Sequence, residues 1–233
     1  MSRVIVITGT SKGIGLELAK YYLQKGDIVV GCARSQNNIK DKNYRHFVLD
    51  VSDERAVVDM IREIKTEFNK IDILINNAGI ASMNHFLTTS FESVKKVFST
   101  NFFGTFLFSR EVGKIMMRQK FGRIVNYTTV ASALRLEGEA IYAASKSAIE
   151  NLTQTLSKEL APFNITVNAI GPTPVKTDLI KAVPQDKIDA LLEKQAIKRL
   201  GNLEDIKNVI DFYIDEKSEF ITGQILYLGG VNG

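Results

Sequence analysis

Short β-branched runs separated by longer amphipathic stretches restrict the folds open to this chain more than any other feature. Val4–Thr8, Ile28–Cys32, Phe47–Leu49, Ile71–Asn76, Arg123–Thr128, Ile165–Ile170 and Gln224–Leu228 read as strands. Ile14–Lys25, Asp53–Phe68, Phe91–Arg118 and Glu139–Ala161 read as helices between them, and Asp186–Lys194 and Leu203–Glu216 as two more. In Asp53–Phe68, residues Val57, Met60, Ile61, Ile64 and Phe68 share one face, and Asp53 stands where a carboxylate suits the helix dipole. This alternation implies parallel strands joined by right-handed helical crossovers. Most strands are apolar throughout, as a sheet covered on both faces requires. The expected architecture is α/β, a doubly wound parallel sheet of about seven strands with helices on both faces. No repeat, low-complexity segment or Pro/Ser-rich linker interrupts the pattern, so residues 1–233 are expected to form a single domain.

Composition removes several classes of function. A hydrophobic content of 45% is ordinary for a globular protein, and no apolar run approaches the length of a membrane helix. Met1-Ser2-Arg3 runs straight into the first apolar run, without a leader pattern. The single Cys32 permits no internal disulfide and fits a reducing compartment, so a cytoplasmic protein is expected, with Cys32 a buried, inert thiol. His46 and His85 are far apart and no Cys/His cluster exists, which argues against a metal site. The net charge of +4 comes from basic residues scattered among acids. Neither nucleic acid nor a membrane is an expected partner.

Thr8-Gly9-Thr10-Ser11-Lys12-Gly13-Ile14-Gly15 lies between the first strand and the first helix. A pyrophosphate needs a backbone without Cβ atoms in its way and amides aimed at it; glycines at a strand-to-helix turn supply the first and the helix N-terminus the second. The position makes this a Rossmann-type dinucleotide loop, although its spacing is Gly-x-x-x-Gly-x-Gly. After the second strand, NAD sites place an acid for the ribose 2′-hydroxyl, whereas NADP sites offer Arg or Lys to the 2′-phosphate. Here the strand runs out through Ala33-Arg34-Ser35, without an acid. Arg34 can fork two hydrogen bonds to a phosphate and Lys12 can add a point charge. NADP(H) is the expected cofactor.

Tyr-x-x-x-Lys occurs three times, at Tyr21/Lys25, Tyr142/Lys146 and Tyr213/Lys217, and each is expected to set a phenol and an ammonium one turn apart on a helix. Tyr142/Lys146 stands out by its surroundings. Asn76-Asn77-Ala78-Gly79 follows a strand, and Thr129 ends the strand before the Tyr142 helix. A phenol has a pKa of ~10, poorly matched to neutral pH, and a nearby ammonium is expected to lower it.

Together these residues resemble the short-chain dehydrogenase/reductase family over nearly the whole chain, and its 3-oxoacyl-[acyl-carrier-protein] reductases most of all. Gly9, Ser11, Lys12, Gly13, Ile14 and Gly15 are similar to its cofactor loop, Asp50 and Val51 to its adenine-contacting pair. Asn77, Ala78 and Gly79 resemble the motif that lines the adenosine ribose. Asn101, Tyr142 and Lys146 fall on the family's catalytic Asn, Tyr and Lys; Ile221-Thr222-Gly223-Gln224 and Gly229-Gly230 resemble its C-terminal signature. The resemblance implies hydride transfer at a carbonyl or carbinol carbon. It makes Tyr142 the proton donor or acceptor, puts Lys146 on the ribose hydroxyls, and has Asn101 hold a water in a relay to Lys146. Two positions depart from the family. Thr129 stands where it usually has Ser, keeping the hydroxyl with a more restricted rotamer. Pro172-Thr173 stands where it usually has Pro-Gly, within the nicotinamide-side contacts carried over to Pro172, Val175 and Thr177.

The substrate is expected to be a small carbonyl or alcohol, carrier-linked in the reductases it most resembles. Candidate pocket segments are Ile80–Leu87, Ala131–Ala140 and the residues after Pro174. Arg135, Glu137 and Glu139 either face that pocket or solvent, and Lys176, Lys181, Lys194, Lys198 and Arg199 either steer an anionic carrier or form a solvated face. The stretch Thr173–Arg199 is short and promises little lid. A ketoreductase or dehydrogenase of sugars or nucleotide-sugars, and a non-catalytic NADP-binding sensor, are the alternatives. The resemblance also implies a homodimer or homotetramer paired through Phe91–Arg118 and Tyr142–Ala161.

Overall fold

The computed structural model describes residues 2–175 and 185–232. Its strands are β1 (Val4–Thr8), β2 (Ile28–Ala33), β3 (Tyr44–Val48), β4 (Ile73–Asn76), β5 (Gly122–Tyr127), β6 (Ile165–Gly171) and β7 (Ile225–Tyr227). They form one 7-stranded sheet in the order β3-β2-β1-β4-β5-β6-β7, with every pairing parallel. The helices are α1 (Gly13–Gln24), α2 (Glu54–Phe68), α3 (Phe91–Phe98), α4 (Gly104–Gln119), α5 (Val130–Leu134), α6 (Ala140–Leu160), α7 (Gln185–Glu193) and α8 (Leu203–Ile214). The expected doubly wound fold is present.

The sheet is held between two apolar layers, and β1 shows why. Val4 and Val6 join Met60, Ile61 and Ile64 of α2 and Leu107 and Phe108 of α4 on one face. Ile5 and Ile7, pointing the other way, join Leu18 and Tyr22 of α1 and Ile206 and Ile210 of α8. Each such side chain contributes about 1.5–3 kcal/mol of burial free energy, which fixes the register of the central strands. Asp53 caps α2 by accepting from the Ala56 amide, as its sequence position implies. The winding reverses between β1 and β4, and a crevice opens there at the carboxyl ends of the strands.

Several expected elements differ. The single helix Phe91–Arg118 is two α-helices joined by a π turn, Ser99–Phe103, which aims Asn101 into the interior. β3 begins at Tyr44 rather than Phe47; as an edge strand it carries Arg45 on its exposed side, and that charge hides the run in the sequence. The short α5 follows Thr129, which caps it by accepting from the Ala131 amide. The Tyr213/Lys217 pair does not share a helix face: α8 ends at Ile214, and Lys217 lies in the 3-10 turn Glu216–Ser218. Cys32 is fully buried with its thiol pushed up to about 12 by that burial, so it is inert as expected.

Candidate active site

A cleft of about 1190 Å³ lies over the carboxyl ends of the central strands. Its near end is built by the turn between β1 and α1. Gly9 has φ 78°, and a Cβ there would stand 2.9 Å from Asn77 Nδ2, so the turn can lie directly on the end of β4 only as glycine. Gly13 has φ 61° with nothing within 4 Å of its Cβ position, leaving that side of the turn open. The N-terminus of α1 has no side-chain cap and no acid in its first turn. These amides, beside a backbone stripped of Cβ atoms, suit an anion such as a pyrophosphate. Gly15 plays a different part: its Cβ would stand 2.4 Å from both Asn77 Nδ2 and the Gly9 carbonyl, so it serves close packing and does not line the cleft.

Asn77 Nδ2 donates to the Thr8 carbonyl at 2.9 Å and the Ala78 amide donates to Thr8 Oγ1 at 2.9 Å, which ties β4 to β1. Beneath them, Asn76 Nδ2 donates to Asn126 Oδ1 at 2.8 Å, and Asn126 Nδ2 donates to Thr153 Oγ1 of α6 at 2.9 Å. This buried rail fixes α6 against the strand ends.

Ser11, Lys12, Ile14, Arg34, Ser35, Asp50, Val51, Ala78 and Gly79 line the cleft as the motifs imply. The Lys12 and Arg34 side chains have no hydrogen-bond or ion-pair partner among the described residues, so their charges are available to a ligand. Asp50 is held below the usual carboxylate range: desolvation works against this, but the Ser52 amide and hydroxyl both donate to it and Arg34 lies near. A network absent from the sequence reading holds the Arg34–Ser35 loop. His46 Nε2 lies 3.0 Å from the Ser35 carbonyl, Tyr44 Oη lies 2.9 Å from His46 Nδ1, and Asn37 Nδ2 donates to Tyr44 Oη and to the Thr10 carbonyl. Tyr44 and His46 sit two apart on β3, and that period was the available signal.

Across the cleft stand Thr129, Tyr142 and Lys146. Three successive residues at the end of β5 face α6 or the cleft. Lys146 Nζ donates to the Tyr127 carbonyl at 2.8 Å, Thr128 Oγ1 donates to Glu150, and Thr129 lines the cleft with Tyr142. Thr128 and Thr129 therefore point different ways, as neighbouring extended residues must. Asn101 is fully buried; its amide is shared between both backbone groups of Ile80 and Ser145 Oγ, and its own carbonyl accepts from Thr105 Oγ1. It stands behind the cleft wall: a Cβ on Gly79 would meet Asn101 Oδ1 at 3.3 Å and Lys146 Nζ at 3.4 Å.

The expected lowering of the Tyr142 pKa is not present. Burial pushes the phenol up to about 12; the Thr129 hydroxyl opposes that rise and Glu139 adds to it. The Lys146 ammonium is spent on the Tyr127 carbonyl, and its own burial brings it down to about 8 against the field of Glu150.

The far walls are α7 and the segment after α5. Leu191 packs on Val130 and Val231, and Lys187 and Lys194 line the same cleft, so α7 and its end cover part of it. Arg135, Glu137 and Glu139 also line it, and desolvation raises the Glu139 carboxyl. Pro172 and Val175 are in place, while Thr177, Lys176 and Lys181 lie outside the described residues. Among the described residues no His/Cys/Asp/Glu cluster could hold a metal, and no helix is long and apolar enough to cross a membrane.

Residues 3–188 match the family model for short chain dehydrogenase. The chain belongs to the short-chain dehydrogenase family. It is 33% identical to the 3-oxoacyl-[acyl-carrier-protein] reductase FabG of Staphylococcus epidermidis, over 99% of this chain and 98% of that protein. Among solved structures it is similar to ElxO with NADP bound, with TM-score 0.90, 29% identity and coverage of 99% and 98% of the two chains. It is also similar to the aldohexose dehydrogenase of Thermoplasma acidophilum, with TM-score 0.89, 26% identity and coverage of 99% and 94%. This family member is thus an oxidoreductase by descent, with a seven-stranded sheet and a cleft where such enzymes act.

Proposed function

We propose that this short-chain dehydrogenase is an NADP(H)-dependent ketoreductase, acting as one domain over residues 1–233 and reducing a 3-oxoacyl thioester to the secondary alcohol. The observation that carries it is one continuous cleft with the Gly9–Gly13 turn, Lys12 and Arg34 at one end and Thr129, Tyr142 and Lys146 at the other. NADP(H), when bound, supplies or accepts a hydride at its nicotinamide ring. The α1 N-terminus and Gly13 receive its pyrophosphate, Arg34, Ser35 and Lys12 its 2′-phosphate, Asp50 and Val51 its adenine, and Asn77, Ala78 and Gly79 its ribose. Pro172 and Val175 would face the nicotinamide side, and Lys146 would hold the ribose hydroxyls there.

Tyr142 donates its proton to the substrate oxygen, and Thr129 hydrogen-bonds that oxygen and holds it beside the phenol. A phenol raised to about 12 is fully protonated at neutral pH, yet remains a stronger acid than the alcohol it forms. Asn101 fixes Ser145 and the Ile80 backbone, and through them the shape of the wall behind Lys146.

The acyl assignment draws support from the 3-oxoacyl-[acyl-carrier-protein] reductase of S. epidermidis, with Lys187 and Lys194 beside the entrance suiting an anionic carrier. A sugar substrate is the second reading, favoured by the Glu137 and Glu139 carboxyls in the cleft and by the aldohexose dehydrogenase neighbour. NADPH oxidation measured over β-ketoacyl thioesters, keto-sugars and simple diketones separates the two. Turnover on thioesters is the expected result; cofactor binding without turnover on the whole panel would leave a sensor. We place the protein in the cytoplasm. The exposed Phe91, Phe103 and Phe106 support pairing through Phe91–Arg118, together with Tyr142–Ala161, into a dimer or tetramer, which light scattering reads directly.

A further inference from the structure

Lys146 lies 4% exposed and faces few groups. Its own helix offers Tyr142 and, one turn further on, Glu150; β5 offers the Tyr127 carbonyl; the Gly79 turn and the π turn offer Gly79 and Asn101. Glu150 is the charged side chain one turn along the same helix, and its field favours the ammonium. No carboxylate oxygen touches the ammonium among the described residues, so this is an interaction through space across one helical turn.

Glu150 is held by Thr128, whose Oγ1 donates to its Oε1, and Tyr227 at the end of β7 lines the same recess as Glu150. The place of the Tyr227 ring depends on a missing side chain. A Cβ on Gly171 would stand 2.3 Å from Tyr227 Cδ1 and 3.1 Å from Thr128 Cγ2, so only glycine lets the ring lie across the end of β6. The Thr128 hydroxyl thus holds a carboxylate outside the reacting cleft, with Tyr227 beside it.

We propose that Glu150 is a positioning residue, held by Thr128, whose negative charge one helical turn away keeps the buried Lys146 ammonium protonated for work in the cleft. This rests on the ketoreductase reading for its functional meaning, but its charge effect is testable without turnover. The full chain carrying 13C-labelled lysine is titrated by NMR without cofactor, with Lys146→Met assigning the resonance. The wild-type Lys146 resonance is expected to titrate near 8, and Glu150→Gln to lower that midpoint by about half to one pH unit. Glu150→Asp is expected to restore most of it. Thr128→Val, which frees the carboxylate to swing away, shifts the midpoint the same way by less and stands in if Glu150→Gln fails to fold. In turnover assays the alkaline limb of kcat/KM moves down with the NMR midpoint while the acid limb stays. A midpoint unchanged in both Glu150→Gln and Thr128→Val overturns the proposal, leaving Glu150 a packing residue that alters only the melting temperature. Absence of wild-type turnover would instead remove the ketoreductase reading and leave the charge effect standing.

Discussion

Tyr21/Lys25 and Tyr142/Lys146 have the same spacing and opposite fates. Lys25 Nζ lies 2.6 Å from Asp211 Oδ2 and 4.4 Å from the Tyr21 ring centroid, and Tyr21 Oη donates to the same carboxylate at 2.5 Å. Partial burial works against the Lys25 charge, but Asp211 and Tyr21 more than restore it, so its pKa is raised. That pair fastens α1 to α8. Lys146 has no acid in contact among the described residues, and burial brings it down to about 8; burial pushes Tyr142 beside it up to about 12. A cation paired with an acid holds structure together, whereas a buried ammonium that meets one backbone carbonyl keeps further donors for a ligand. The spacing is shared; the partners decide.

The sharpest way to break this contrast is to delete each phenolic hydroxyl. Tyr142→Phe is expected to lower kcat by roughly 10³- to 10⁴-fold with NADPH affinity nearly unchanged by calorimetry. Tyr21→Phe should leave kcat as it is. Retained turnover in Tyr142→Phe would erase the distinction between the pairs.

Exchanging the cations comes next. Lys146 is depressed from 10.5 to about 8 on folding, so the folded state binds its proton more weakly than the unfolded chain. The resulting penalty is full below pH 8, shrinks as pH rises toward 10.5 and vanishes above it. Lys146→Met should therefore abolish turnover yet stabilise the cofactor-free protein by up to about 3 kcal/mol at neutral pH, with the gain fading in alkali. Urea unfolding at several pH values checks the sign, and a loss of stability at pH 7 would show that the Tyr127 carbonyl outweighs desolvation.

Thr129→Ala is expected to cost on the order of 10²-fold in kcat, while Thr129→Ser stays within a few-fold, because the hydroxyl rather than the methyl meets the substrate oxygen. Arg34 has no hydrogen-bond or ion-pair partner among the described residues. Arg34→Glu should reduce the preference for NADPH over NADH by about 10-fold or more, read from the ratio of dissociation constants. The smallest effect belongs to the satisfied cation: Lys25→Met should cost about 0.5–1 kcal/mol of stability at low salt and nothing in kcat.

The strand and helix order was legible because a doubly covered parallel sheet needs apolar strands and amphipathic helices at regular intervals, and Val4–Thr8 with Ile14–Lys25 already states that need. Thr129, Tyr142, Lys146 and the glycine turn were legible as motifs. Less so were the residues that serve them. His46, Asn37 and Tyr44 come from one loop and an edge strand, and only folding brings them under Ser35. Glu150 reads as an ordinary helix-face acid until Thr128 is seen to hold its carboxylate. The π turn at Ser99–Phe103 left no mark that periodicity could detect within one long apolar stretch.

By itself the sequence determined the layering, the winding and which residue types stand at the carboxyl ends of the strands, since these follow from local spacing and side-chain polarity. Only the tertiary structure decided how those groups ionise. The Tyr142 phenol rises instead of falling because desolvation and the Tyr127 carbonyl act on it and its neighbour from other elements. A local motif carries no record of how much water the finished fold removes.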